Sequence, residues 1–166
     1  MRARQSWLGC GPIGLVILIL AACSPRNEIK PTTGEVLPKL AVYAGGQTYW
    51  GDESYAVVSS AAIPALYEKY KSALFKDGVA HWDSRFDCNH FASYFVAKTQ
   101  TDYFISTFQS NTKAQSLAMG TVWFIDGPKS CHAVVVFITE KGPVFVEPQN
   151  GSEIKVDPKT IILSVF

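Results

Sequence analysis

The sequence predicts an α+β fold in which N-terminal helices, one of them bearing a cysteine, pack on an antiparallel sheet. Two patterns indicate this fold. Apolar residues recur at helical spacing between positions 59 and 99, and from Gly120 onward β-branched runs alternate with turns that contain Gly and Pro. A block of helices followed by a block of strands is typical of α+β domains.

The length and composition indicate one folded domain. The chain has 166 residues, of which 48% are hydrophobic and 17% are charged, so it is too apolar to stay disordered and long enough to close a core. Lys and Arg number 15 against 14 Asp and Glu, and they form no basic block. Nucleic-acid binding requires clustered cations, so nucleic acid is excluded as a partner.

Residues 1–22 are predicted to be an export signal. Two arginines precede an apolar run that ends at Leu20 and is short for a membrane-spanning helix. The Leu-Ala-Ala-Cys sequence that ends at Cys23 resembles the lipobox of bacterial lipoproteins. This resemblance implies a Cys23 acylated with chains such as palmitate, anchored in the cell envelope. Ser24 implies the outer membrane, facing the periplasm or the surface, and an uncleaved membrane anchor is the alternative.

Residues 23–39 are predicted to be the lipidated cysteine and a flexible tether. Three prolines among polar side chains disfavour a helix there and remove backbone donors. The remaining residues, 40–166, form the predicted domain.

The first helix of this domain is predicted to begin at Ser59 or Ser60 and to end at Asp77-Gly78. Pro64 falls in its first turn, where proline is tolerated. Its apolar stripe consists of Ala61, Ala62, Leu66, Tyr70, Ala73 and Leu74.

The second helix is predicted to begin at Cys88, with Asp87 or Ser84 as its N-cap. The residues from 101 to 119 are predicted to be helical in part, with Gly120 as the stop. The apolar stripe of the second helix follows the helical period through Cys88, Phe91, Ala92, Phe95, Val96 and Thr99.

Strands are predicted in the rest of the chain, because β-branched and aromatic runs are separated there by turn residues. The runs cover residues 121–125, 131–139, 144–147, 153–156 and 161–166.

Three residue types in this arrangement suggest thiol chemistry. Cys88 opens a helix, where the free amide donors and the helix dipole stabilise a thiolate. His132 lies in an apolar strand, where an imidazole needs a hydrogen-bond partner. The hairpin that turns at Lys141-Gly142 can bring Glu147 near His132, although the count of residues on its two sides calls for a bulge or skewed pairing. A small core cysteine and a structural histidine are the alternatives.

Three blocks of residues then carry a resemblance. They are residues 86–92 (FDCNHFA), His132-Ala133 in a hydrophobic strand, and residues 146–151 (VEPQNG). Together they look like the papain-like cysteine protease domain at the C-terminus of certain fungal agglutinins and in bacterial relatives. NlpC/P60 and transglutaminase-like hydrolases belong to the same wider group. The resemblance implies a papain-like version of the α+β fold.

Carried over residue by residue, the resemblance implies Cys88 as the nucleophile, His132 as general base and acid, and Glu147 as the group that orients His132. The oxyanion donor would be the backbone N–H of Cys88, assisted by the indole of Trp82 or the amide of Gln47.

The same family places acidic calcium ligands directly after the cysteine. This chain has Asn89 and His90 at those positions, and an imidazole is a poor calcium ligand. No metal or cofactor is therefore predicted, and Gln149 and Asn150 are the remaining oxygen donors.

Two other roles for the cysteines are considered. A zinc site could use Cys88, His90, Cys131 and His132, and a disulfide could join Cys88 to Cys131. Neighbouring strand residues point to opposite faces, which opposes both: if His132 faces Cys88, Cys131 is expected to pack on the far face.

The predicted function is an envelope-anchored thiol hydrolase, a cysteine peptidase or amidase that works through an acyl-enzyme. Its substrates would be peptides, proteins or peptidoglycan stem peptides, and transfer to an amine instead of water is left open. The alternative is a catalytically inactive papain-like lipoprotein that binds peptides or glycans. The aromatic residues available for such binding are Tyr43, Tyr49, Trp50, Trp82 and Trp123.

Overall fold

In the computed structural model of this chain, residues 30–38, 46–79 and 81–166 are described. Two helices pack on one large sheet. The helices are α1 (Ile63–Lys76) and α2 (Cys88–Thr107), and short 3-10 helices span Ser60–Ala62 and Pro158–Thr160. The strands are β1 (Thr32–Pro38), β2 (Gln47–Tyr49), β3 (Ser54–Val58), β4 (Ser116–Leu117), β5 (Met119–Ile125), β6 (Cys131–Thr139), β7 (Gly142–Val146), β8 (Glu153–Ile154) and β9 (Ile161–Val165).

The sheet runs in the order β1-β3-β6-β5-β9-β2, with β4 paired to β3 and with β7 and β8 added beside β6. Most pairs are antiparallel, including β5 with β6 and β6 with β7. The pairs of β3 with β4, of β3 with β6 and of β2 with β9 are parallel. The predicted α+β class is confirmed, with a mostly antiparallel sheet and two helices.

Three strands precede the helices, so the predicted order of helices first and strands second is wrong. The run Ser54–Val58 is a short aromatic and β-branched segment, and four of its five residues are buried because it lies between β1 and β6. Such a run has no polar alternation that would mark it as a strand.

Strand β1 lies inside the stretch predicted as a tether, residues 23–39. Among the described strands it pairs with β3 alone, at the edge of the sheet, where proline is tolerated since one side of the strand needs no donor. The sheet thus begins at Thr32, before the predicted domain start at residue 40. The predicted signal peptide, residues 1–22, and Cys23 lie outside the described residues.

The two predicted helices are confirmed. A 3-10 turn leads into α1, which carries Pro64 near its start and is followed by Gly78 at a φ of 78°. Helix α2 begins at Cys88 with Asp87 as its N-cap. Its buried residues are Phe91, Ala92, Phe95, Thr99 and Tyr103, which follow the predicted stripe. Among the described helices, none is long and apolar enough to cross a membrane.

Helix α2 ends at Thr107, so the expected helical content of residues 101–119 stops there. The hydroxyls of Thr107 and Ser110 donate to the backbone carbonyls of Tyr103 and Thr107, a pattern by which short polar side chains compete with helical hydrogen bonds.

The core is divided between the two faces of the sheet. Along β6, the side chains of Ala133, Val135 and Phe137 belong to the cluster beneath the helices. The intervening Val134 and Val136 belong to the cluster on the other face, as the alternation of a strand requires. The helices and the sheet therefore hold the first residues of β6 and the end of β7 in fixed positions.

Candidate functional site

The most clearly organised polar pair of the described residues is His132 with Glu147. The Nε2 atom of His132 lies 2.6 Å from Oε2 of Glu147, within charge-assisted hydrogen-bond range. Both side chains are largely buried, with 24% of the His132 side chain and 14% of the Glu147 side chain exposed. The predicted proximity of these two residues is thus present in the structure.

The strand register explains this contact without a bulge. Strands β6 and β7 pair without interruption from Val135 opposite Val146 to Thr139 opposite Gly142. If this register continued beyond Val146, residue 149 would lie opposite His132, and Glu147 is two residues before it. Such diagonal neighbours lie about 7–8 Å apart, within reach of two long side chains.

The turn after β7 fixes the carboxylate of Glu147. The backbone N–H of Glu147 donates to the carbonyl of Ser152, and its carbonyl accepts from the N–H of Gly151. The second carboxylate oxygen, Oε1, accepts from the backbone N–H of Gln149 at 3.2 Å. Glu147 therefore has a partner on both oxygens, and its orientation is set by the turn as well as by His132.

Cys88 is the first residue of α2 and carries a free, half-buried thiol. A capping box precedes it: the side chain of Asp87 accepts from the backbone of His90, and Nδ1 of His90 lies 2.8 Å from Oδ1 of Asp87. The hydrogen bond to His90 lowers the pKa of Asp87. His90 thus serves the helix end, beside the ring of Phe86.

The thiol of Cys88 is not joined to the other two residues. It packs at the margin of the core cluster beneath the helices, whereas the ring of His132 meets the edge of Phe124, a member of the cluster on the opposite face. Within the described parts of the chain, no hydrogen bond links Cys88 to His132. The structure brings the predicted base and orienting carboxylate into contact, and the role of Cys88 as nucleophile stays a prediction.

Cys131 is exposed at the first residue of β6, next to the turn before that strand. The expectation that it packs on the far face of the strand is therefore wrong, because the strand is not covered where it begins. Both Cys88 and Cys131 are free, so the disulfide between them is not formed. Across the described segments, no group of three His, Cys, Asp or Glu residues is arranged to hold a metal ion.

The two predicted oxyanion donors lie elsewhere. Trp82 is 55% exposed in the segment between the helices. Gln47 is exposed on β2, at the far edge of the sheet, where its Oε1 accepts from the hydroxyl of Tyr49. Neither side chain is hydrogen-bonded to Cys88 or His132 in the described segments.

The other predicted oxygen donors have structural partners. The side-chain oxygen of Asn150 accepts from the N–H of Ser152, and the carbonyl of Gln149 accepts from the hydroxyl of Tyr67. These bonds close the turn after β7 and attach it to α1.

The predicted aromatic set does not form one surface. Trp50 stacks on Phe166, and Trp123 packs against the core beneath the helices, while Tyr49 and Trp82 are exposed. Tyr43 lies outside the described residues.

A groove of about 340 Å³ between α1 and the turn after β7 was not predicted from the sequence. Its central side chain is Tyr67, whose hydroxyl donates to Gln149 and whose ring lies against Gly151. Burial raises the pKa of Tyr67, and the charges of Glu68 and Glu147 add to the effect. We call this feature the Tyr67 groove; its lining also includes Ser60, Pro64, Glu68, Asn150 and Glu153. The Asn150-Gly151 turn could be predicted from the sequence, but the contact between this turn and α1 could not.

Comparisons with known proteins identify similar structures but no similar sequences. No family model matches the chain, and no curated protein matches it. A solved complex of PSL1a with E64 is 22% identical, with a TM-score of 0.55, and the match covers 77% of this chain and 45% of that one. A structure of the Polyporus squamosus lectin bound to the epitope Neu5Acα2-6Galβ1-4GlcNAc is also 22% identical, with a TM-score of 0.54, covering 73% of this chain and 42% of the lectin.

The likeness concerns the fold, and this chain spans less than half the length of the structures it matches. It contradicts the assignment to the papain-like cysteine protease family, because the matching proteins are lectins. On the same ground, the predicted cysteine peptidase or amidase activity is wrong, and so is the predicted classification as a hydrolase.

Proposed function

We propose that this chain is a binding module that takes a glycan in the Tyr67 groove. The observation that carries the proposal is the groove itself, in which a fixed aromatic ring lies among both polar and apolar residues; the apolar ones are Ile63, Pro64, Val144 and Val146. The likeness to a lectin that binds a glycan supports the choice of ligand class. Of the two functions predicted from the sequence, a binding module is favoured over a thiol hydrolase.

The groove offers the two kinds of contact that a sugar needs. The faces of a sugar ring carry C–H groups, which pack on an aromatic ring such as that of Tyr67. The hydroxyls of a sugar are both donors and acceptors, and the amide of Asn150 and the carboxylates of Glu68 and Glu153 match them. A few placed polar groups in a concave surface are typical of ligand sites.

The ring of Tyr67 is held in place before any ligand arrives. Its hydroxyl donates to the carbonyl of Gln149 at 3.3 Å, and its edge rests on Gly151. The turn that carries these two residues is in turn held by Glu147, which is bonded to His132. Preorganisation reduces the entropy that binding would otherwise lose.

The proposal is tested by calorimetric titration of the full chain with neutral oligosaccharides, beginning with Galβ1-4GlcNAc, after a screen on an immobilised glycan panel. Tyr67→Ala is expected to weaken binding by about tenfold or more, the amount that a central aromatic contact contributes. Tyr49→Ala is the matched control, because Tyr49 is 56% exposed on β2 and does not line the groove.

Two results would overturn the proposal. One is the absence of binding to any glycan on the panel, including the case in which a peptide panel binds instead. The other is an equal loss of affinity in Tyr67→Ala and Tyr49→Ala, which would place the ligand outside the groove.

A second candidate is a small-molecule site at Cys88, since one of the matching structures is a complex with E64. Cys88 begins α2 and carries a free, half-buried thiol, which is the group that a ligand there would contact. We expect E64 to raise the melting temperature of the wild type and of Cys131→Ala but not of Cys88→Ala. A rise that persists in Cys88→Ala, or no rise in the wild type, would refute this site.

A further inference from the structure

The charges along the Tyr67 groove have one sign. Glu68 and Glu153 line it, and no Lys, Arg or His is among the residues that do so in the described part of the chain. The carboxylate of Glu147 also lies close enough to raise the pKa of Tyr67. At the rim, Glu140 accepts hydrogen bonds from the hydroxyl and the backbone N–H of Ser60, which lower the pKa of Glu140 and keep it ionised.

Three basic side chains lie close to the groove or its rim without lining it, and one of them, Lys141, helps to lower the pKa of Glu140. The Nε2 atom of His132 is hydrogen-bonded to the carboxylate of Glu147. The ammonium group of Lys71 lies 5.9 Å from the centre of the Tyr67 ring. This is a cation–π contact, which occupies the ammonium group on the ring. The carboxylates of Glu68 and Glu153 have no ion-pair partner among the described residues.

From this charge distribution we infer that the Tyr67 groove selects neutral sugars and rejects sugars that carry a carboxylate, such as sialic acid. The inference rests on the proposed glycan-binding function and specifies the ligand class of the same groove. A ligand carboxylate placed beside Glu68 and Glu153 would meet like charges at the exposed rim of the groove, and such juxtaposition disfavours the wrong ligand, most strongly at low ionic strength. The matching lectin, in contrast, is bound to a sialylated epitope.

The test compares two ligands that differ by one residue. Galβ1-4GlcNAc and Neu5Acα2-6Galβ1-4GlcNAc share their neutral part, so any difference in affinity comes from the sialic acid. At low ionic strength the neutral disaccharide is expected to bind about tenfold more tightly than the sialylated trisaccharide. The difference should shrink at about 1 M salt, where the screening length falls to about 3 Å.

The double variant Glu68→Gln with Glu153→Gln removes both charges and retains side-chain size. It should bring the sialylated ligand to within about twofold of the neutral one. Glu53→Gln is the matched control, because Glu53 precedes β3, at the end of that strand away from Ser60, and does not line the groove. This variant should leave the difference between the two ligands unchanged.

The outcomes separate this inference from the proposed function. If the wild type binds both ligands equally, or prefers the sialylated one, the selectivity is refuted while glycan binding stands. The same holds if the preference is unchanged in the double variant or disappears equally in Glu53→Gln. If no glycan on the panel binds, the proposed function fails and the inference fails with it.

Discussion

Replacing Gly151 by Ala tests the contact that shapes the Tyr67 groove. Gly151 has a φ of 76°, in the left-handed region, and a Cβ atom added there would lie 2.6 Å from a ring carbon of Tyr67. The substitution therefore imposes two separate costs, one on the backbone and one on the packing of the ring.

The size of the effect follows from these two costs. A non-glycine residue in the left-handed region costs about 1–2 kcal/mol. Forcing a methyl group into an occupied space costs about 1–3 kcal/mol. We therefore expect Gly151→Ala to lower the free energy of unfolding by about 3 kcal/mol. With a urea dependence of about 2 kcal/mol per molar, the unfolding midpoint should fall by about 1.5 M.

The assay is urea denaturation followed by circular dichroism, with Gly142→Ala as the control. Gly142 also has a positive φ, 101°, but a Cβ atom there would meet nothing within 4 Å. Gly142→Ala should therefore carry only the backbone cost, about 1 kcal/mol. The difference between the two variants measures the overlap with Tyr67.

A double-mutant cycle gives the refuting result. In a Tyr67→Ala background the ring is absent, so Gly151→Ala should cost no more than Gly142→Ala does. If Gly151→Ala costs as little as Gly142→Ala in the wild-type background, or keeps its full cost without the ring, then Tyr67 does not rest on Gly151 and the groove is not shaped as described.

Three further changes test other parts of the fold. Gly120→Ala would place a Cβ atom 2.2 Å from the carbonyl oxygen of Val165, so β5 and β9 must separate; we expect a loss of at least about 3 kcal/mol in urea denaturation, and a loss below 1 kcal/mol would contradict the register. Asp87→Ala removes the cap of α2 and should lower the free energy of unfolding by about 1 kcal/mol at neutral pH. Because the hydrogen bond to His90 lowers the pKa of folded Asp87, this contribution is present above the unfolded value of about 4 and fades as the pH falls through the folded value; a pH-independent difference would contradict it. Glu147→Gln should cost about 1–3 kcal/mol, since it weakens a charge-assisted hydrogen bond that is mostly buried, and an unchanged midpoint would show that the pair does not stabilise the turn.

The elements predicted correctly from the sequence are those with local signals. Helix α2 has a capping residue at Asp87 and a continuous apolar stripe, and β6 is a nine-residue β-branched run, so the start of α2 and both ends of β6 could be read directly. Strands β1 to β3 have no comparable signal. The residues Ser54–Val58 form a strand because β1 and β6 are available on either side, and that pairing joins segments far apart in the chain.

The candidate site shows the same limit at the level of side chains. The hairpin between β6 and β7 is local, so the meeting of His132 with Glu147 could be predicted from two strands and a turn. The Tyr67 groove requires α1 to lie against the turn after β7, and residues 67 and 151 are connected by no local pattern. The relation of Cys88 to His132 also depends on the packing of a helix against a sheet, which no local pattern in the sequence specifies.

The His132–Glu147 pair gains a different role from this arrangement. Glu147 bonds His132 through one carboxylate oxygen and the N–H of Gln149 through the other, and the carbonyl of Gln149 accepts from the hydroxyl of Tyr67. These bonds form a continuous path from β6, through the turn, to α1. Within this path the bond between His132 and Glu147 helps to hold the turn that carries Gln149. Because the path ends at the ring that we propose to bind sugar, we expect the pair to act on such a ligand by positioning Tyr67.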